Sequence, residues 1–512
     1  MAENRLSNSI KNVAFAWVGQ ACSVILSFVT RGVFAYLLAK DYVGLESLFS
    51  NVITMLCVAD LGIGSAIIFA LYEPIAKNDT EKIKSLMRLF KWVYITIGIV
   101  ISAVGCAIAP FITVLIQDAP NIPNLGGYFV CFVFNAAISY FFSYKGSLIY
   151  AHQKSYIVSF IQYGFQILML LVQIAVLFVT GSYWAYLVVM LCSTLLQNVS
   201  QAIVANRMFP YLKEKSVNKL DAETFDGIKK NTFALILHKI SGAMSVSIGS
   251  IFVSAFAGLA AVASYGSYMI ILNSVSRIVD KAFDSVIASI GNMGVTESGE
   301  RQYKVFKAGF MLATVLYVVI CTILLCSLDS FMGIWLGSSY IFPWLTTCLL
   351  CIWLFVKGVR SAEQAFTSAY GLYWHTRYKA LAEAIALPIF TYAGVKYAGV
   401  DGVLVAGILV MLFVSTLLEV RGLYLHGFEK KRMTDYWLGM LKSSFVFAAS
   451  CLVACVLRTA FPATGVFALV LNVLLGTVVS ISICYLAYFR SEEFKYVLSL
   501  LKGLFARKQM KK

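Results

Sequence analysis

Long apolar runs separated by short polar connections repeat along this 512-residue chain, at 12–38, 43–71, 89–116, 125–150, 156–180, 183–208, 231–256, 261–290, 305–328, 342–370, 376–397, 402–425, 436–459 and 465–489. A helix rising 1.5 Å per residue needs about 20 such residues to cross a hydrocarbon core of ~30 Å. Inside lipid every backbone polar group must be satisfied internally, which leaves helices and closed barrels. Barrel strands alternate over about ten residues, and these runs do not. The pattern predicts an all-α polytopic membrane protein of about fourteen transmembrane helices. The polar start, Met1 to Asn12, leads into the first run without a small-residue cleavage site, which argues against a removed signal peptide.

Composition agrees: 60% of residues are hydrophobic, 13% are charged, and the mean hydropathy is +0.82. Soluble domains carry roughly a quarter charged residues. The net charge of +16 would suit a nucleic-acid partner, but its distribution points to topology instead. Basic residues collect in the even-numbered connections and at the termini, as at Lys77, Lys82, Lys84, Arg88, Lys213, Lys215, Lys229, Lys230, Lys430, Lys431 and Arg432. Lys40, Lys396 and Arg458 fall on the other side. The positive-inside rule then places both termini in the cytoplasm of a multi-pass membrane protein.

The longest inward connection follows the sixth span and suggests a repeat. Lys11-Asn12 opens the first span and Lys230-Asn231 the seventh; Gly44 precedes Asn51 as Gly266 precedes Asn273. The expected organisation is an N-terminal lobe at 1–208, a cytoplasmic linker at 209–230 and a C-terminal lobe at 231–430, two six-helix lobes related by pseudo-two-fold symmetry. Extra helices follow at 431–489, and a basic amphipathic tail at 490–512 lies on the inner leaflet.

No catalytic constellation stands out. There is no P-loop, no HExxH and no GxSxG. The Cys348/Cys351 pair lies within a span without a second pair, so it does not read as zinc ligands. No resident cofactor or metal is expected, and H+ or Na+ are the candidate coupling ions.

Charges within the spans need an explanation, since each costs ~2.5–3.5 kcal/mol at mid-bilayer on insertion scales. Arg31, Lys239, Arg277, Lys357 and Arg360 are candidate ligands for an anionic substrate in a predominantly cationic, water-reached cavity. Asp60, Asp280 and Glu363 are candidates for charge pairing or ion coupling. Arg277, Asp280, Lys281 and Asp284 share one helical face, so internal pairing is the competing reading. Polar stripes add Gln162 and Gln166 (with Ser159 and Gln173), then Gln197 and Asn198 (with Thr194 and Gln201). These either line the cavity or join helices by hydrogen bonds.

The stretch TRGVFAYLLAKDYVGLESLFSNVITMLCVADLGIGSAI, followed by the basic NDTEKIKSLMRLFKWVYITIG, resembles the opening of a Wzx-type polysaccharide flippase. The resemblance implies membership of the multidrug/oligosaccharidyl-lipid/polysaccharide exporter superfamily, with alternating access between two lobes. It also implies export of undecaprenyl-pyrophosphate-linked oligosaccharide from the inner to the outer leaflet for polysaccharide biosynthesis. Only Arg31 and Asp60 match the family pattern residue by residue. Lipid-linked oligosaccharide, membrane lipids and other polysaccharide-assembly proteins are the partners implied. The alternatives are a multidrug exporter or peptidoglycan-precursor flippase of the same superfamily, or a membrane glycosyltransferase or polymerase.

Overall fold

The computed structural model describes residues 2–57, 63–120, 122–214, 220, 222–372, 375–428, 433–460 and 465–499. The described chain is helical almost throughout. Its helices are α1 (Ala2–Leu37), α2 (Lys40–Leu56), α3 (Ile63–Lys77), α4 (Thr80–Ile108), α5 (Leu125–Ala151), α6 (Ser155–Thr180), α7 (Tyr183–Met208) and α8 (Ala222–Thr296). There follow α9 (Gly299–Trp335), α10 (Trp344–Val359), α11 (Ser361–Ala369), α12 (Arg377–Val410), α13 (Leu417–His426), α14 (Met433–Ala460) and α15 (Gly465–Tyr488).

Among the described residues, eleven helical stretches are long and apolar enough to cross a membrane. Two are double-length: Lys239–Asp284 with 46 residues and Arg377–His426 with 50. At 1.5 Å per residue each is about twice the ~30 Å core, so each must cross twice. Each contains a backbone break where that requires one. Gly258 has φ 77° within α8, and Ala398 and Gly399 leave helical geometry within α12, with Gly399 at φ 54°. Across that second break Gly394 and Gly402 meet backbone to backbone, so a Cβ on Gly402 would lie 1.8 Å from the Gly394 carbonyl oxygen. With eleven such stretches, the protein is a multi-pass membrane protein.

Many large apolar side chains face outward, including Val179, Phe445, Phe467 and Leu486. A water-facing surface rarely gathers so many, whereas a lipid-facing one needs them.

Two compact units divide the chain, Met1–Gly266 and Ser267–Lys512, and α8 runs through both. In the first, α5 packs against α4 and α7, and α6 against α1 and α7. In the second, α9 is the central mast, with α10, α14 and α15 packed around it. Small and polar contacts fasten the last two helices to it: Gly476 lies against the Ile323 backbone, and the Thr314 and Ser443 hydroxyls are 2.9 Å apart.

Helix irregularities cluster in the second unit. The expected span 342–370 is interrupted at Arg360, which ends α10 and precedes α11. A π-helical turn, Met411–Thr416, separates α12 from α13. Such turns widen a helix locally and are frequent at functional sites.

Candidate functional site

In the first unit the charged node is built on Arg31 near the end of α1. Its guanidinium donates to Glu46 Oε2 at 3.2 Å, to Ser47 Oγ at 2.8 Å and to the Ala263 carbonyl at 3.4 Å. Tyr186 on α7 donates to the other Glu46 oxygen at 2.9 Å. Four helices thus meet through one ion pair. They approach closely because Gly44 on α2 lies against the Leu259 carbonyl and Gly266 on α8 against Ser47. Phe34, Tyr42 and Tyr183 surround the node with edge-on ring contacts, and Arg31 is only 6% exposed. A guanidinium withdrawn from water survives only with its donors satisfied.

The second unit holds a larger buried cluster. Arg360 donates to Glu363 Oε1 at 2.9 Å and to Glu419 Oε2 at 2.7 Å. Lys379 reaches Glu419 at 3.1 Å and Glu383 at 3.9 Å. The Tyr436 hydroxyl donates to Glu363 Oε2. Elements α10 to α14 are therefore tied through two cations and three carboxylates. If all five ionise, the cluster carries one negative charge in excess. A bound proton or small cation would neutralise it.

Nearby in the same unit is a separate, open patch. Arg277 is exposed on α8, and Asp280 lies one turn further on. Lys357 on α10 sits within electrostatic reach of both, donates to Asn273 Oδ1 at 3.4 Å, and lies 5.3 Å from the Trp353 ring centre. Arg277 has no ion-pair partner among the described residues. This patch has two cations to one carboxylate, the reverse of the buried cluster's balance.

The other expected site residues scatter. Lys239 is exposed on α8, in the first unit. Asp60 and the His238 side chain lie outside the described residues. Lys281 pairs with Asp284 at 3.7 Å. Gln162 is exposed. Gln166 donates to Ser23 Oγ at 3.0 Å and Gln173 to the Tyr186 carbonyl at 3.3 Å, contacts that join α6 to α1 and α7. Asn198 is buried and bonds to the Thr194 carbonyl of its own helix, and Gln197 is half-buried. Among the described residues no group of three or more His, Cys, Asp or Glu could hold a metal ion.

One expectation needs correction. Basic groups were expected to outnumber acidic ones within the spans, leaving a surplus on Arg31 and Arg360 for a ligand. Both are instead occupied by carboxylates not singled out from the sequence, Glu46 and Glu419, with Lys379, Glu383 and Tyr436 completing the second cluster. Glu46, Glu383 and Glu419 each lie within an apolar run, and that position was the available signal.

No protein-family model matches the chain, and no curated protein does. Solved structures do. The chain is similar to the lipid II flippase MurJ in an inward closed conformation, with a TM-score of 0.70 and 11% identity over 93% of this chain and 99% of that one. It is also similar to an inward-facing multidrug resistance MATE family transporter of the MOP superfamily, with a TM-score of 0.59 and 14% identity over 79% of this chain and 95% of that one. The Vibrio cholerae MATE transporter VcmN matches with a TM-score of 0.56 and 14% identity over 83% and 99% of the two chains. The chain shares its fold with these solved structures.

Proposed function

We propose that this chain is a transporter, not an enzyme, and that it flips polyprenyl-pyrophosphate-linked oligosaccharide from the inner to the outer leaflet of a bacterial cytoplasmic membrane. The observation that carries this reading is the open Arg277–Lys357 patch, where positive charge exceeds negative on helices of a flippase-like fold. A pyrophosphate supplies the missing anion, and a guanidinium suits its oxygens geometrically. Lys239, Gln162 and Gln197 would offer further contacts to the headgroup and glycan hydroxyls. Alternating access would carry the headgroup while the prenyl chain stays in lipid. With the interior negative, each negative charge moved outward gains ~2.3 kcal/mol per 100 mV. The surplus carboxylate of the Arg360 cluster would take up the coupling H+ or Na+.

The test is flipping in proteoliposomes loaded with a fluorescent undecaprenyl-pyrophosphate glycan. Arg277→Gln and Lys357→Gln together should reduce the rate at least tenfold, about 1.4 kcal/mol or more, with insertion unchanged. An undiminished rate would remove the patch from the substrate route.

A second reading, export of the peptidoglycan precursor, is supported by the likeness to a lipid II flippase over nearly the whole of both chains. Rescue of cells depleted of their own lipid II flippase would favour it, and drug resistance in a pump-deficient host would favour a multidrug exporter. Sugar transfer by the purified protein would favour the glycosyltransferase or polymerase reading.

A further inference from the structure

A cavity of about 170 Å³ lies where α9 and α14 begin and α15 ends, and it touches the Arg360 cluster only through Tyr436. Its walls include Tyr303, Tyr424, Tyr436 and Tyr488, with Asp435 and Lys442 from α14. Lys442 also borders a second space, an open apolar groove of about 620 Å³ between α14 and α15. Leu441, Phe445 and Leu486 line that groove and are highly exposed. A polar cavity and a lipid-facing groove therefore share one lysine.

The order of groups along α14 decides what fits. Asp435 lies in the first turn, next to the membrane surface at which the helix starts. Lys442 follows two turns later, about 10 Å deeper along the axis. Phe445, Val446 and Ala449 then continue into the apolar zone. From surface to core the helix offers a carboxylate, an ammonium and hydrocarbon. A phospholipid with an amine-bearing headgroup presents the complementary series: ammonium outermost, phosphate next, acyl chain last.

The local chemistry agrees. Asp435 accepts from the Tyr303 hydroxyl at 3.3 Å, and the cavity walls are largely aromatic, as a desolvated ammonium requires. The Lys442 ammonium stands 4.2 Å from the Tyr488 ring centre and has no carboxylate partner among the described residues. It is placed to receive a phosphate. The remaining charges, Lys307 and Glu493, are 3.6 Å apart and cancel one another. A headgroup with net negative charge would meet Asp435 unopposed. A pyrophosphate would bring more charge than one lysine answers.

We propose that α9, α14 and α15 form a binding site for a resident phospholipid bearing a primary ammonium. Its headgroup lies in the tyrosine-lined cavity, its phosphate on Lys442 and one acyl chain in the α14–α15 groove. The site goes beyond the transport reading and does not depend on it.

Native mass spectrometry of the full chain, released from vesicles of equal parts phosphatidylethanolamine, phosphatidylcholine and phosphatidylglycerol, tests this. Phosphatidylethanolamine should be retained about tenfold over the other two, as expected for a charge-assisted contact. Lys442→Glu should abolish retention, and Asp435→Asn should erase the preference over phosphatidylglycerol. Val446→Trp should displace the lipid by filling the groove, and serves as the second probe should Lys442→Glu fail to insert. Equal retention of all three lipids, retention by both the Lys442 and Val446 variants, or selective capture of added undecaprenyl pyrophosphate would each overturn the assignment.

Discussion

The two units each place an arginine in the membrane interior, and they treat it differently. Arg31 has a single carboxylate, Glu46, and the remaining guanidinium hydrogens go to a serine and a carbonyl. Arg360 shares its surroundings with one further cation and three carboxylates, of which Glu363 is completely buried. The first arrangement is balanced and draws α1, α2, α7 and α8 together. The second is one positive charge short. A balanced pair can only hold or break, whereas a cluster with odd charge can exist in two occupied states. The same residue type closes a balanced pair in one unit and sits in a cluster with an unbalanced charge in the other.

Removal of each arginine should separate these roles most strongly. Arg360→Leu leaves three buried carboxylates facing one lysine and should cost about 3–5 kcal/mol, read as a large fall in the thermal midpoint of the purified chain. Arg31→Leu strands only Glu46, a quarter of whose side chain is already exposed, so its cost should be about 1–3 kcal/mol. If the two losses are equal, the contrast fails. A double-mutant cycle sharpens it, since Glu46→Gln should recover most of the Arg31→Leu loss, whereas Glu363→Gln should recover only part of the Arg360→Leu loss.

Alone, Glu363→Gln removes the surplus charge and should change stability by no more than about 1 kcal/mol. In vesicles, flipping should then no longer respond to an imposed pH or sodium gradient; a response of wild-type size would assign the coupling elsewhere. The smallest effect belongs to Gln166→Leu. It deletes the α1–α6 hydrogen bond to Ser23 and should cost about 0.6 kcal/mol, the average for such bonds within bilayers.

The contrast also shows what a sequence discloses. The spans were legible because apolar length is a local property: the expected 183–208 and the observed Tyr183–Met208 coincide. The breaks at Gly258 and Gly399 were legible as polar or glycine-bearing gaps between runs. The basic site candidates were legible because a lysine or arginine stands out among leucines. Their partners were not, because pairing is non-local. Arg31 finds Glu46 fifteen residues away, but Arg360 finds Glu419 fifty-nine away, across a reversal and a π-turn. A carboxylate such as Glu419 barely lowers the hydropathy of its run, and only the folded packing gives it a role. The Arg360–Glu363 contact, three residues along one helical stretch, was within reach of periodicity, and both residues were singled out.

Tyr436 belongs to two places at once: its ring walls the cavity beside α14, and its hydroxyl reaches Glu363 in the charge cluster. That phenol makes the peripheral pair α14–α15 a lever on the cluster. On the proposed reading, a ligand that favours one tilt of α14 would alter how readily Glu363 releases a coupling ion, and loading Glu363 would alter the hold on that ligand by the same factor. If both proposals hold, membrane composition becomes an input to transport, acting without touching the cargo.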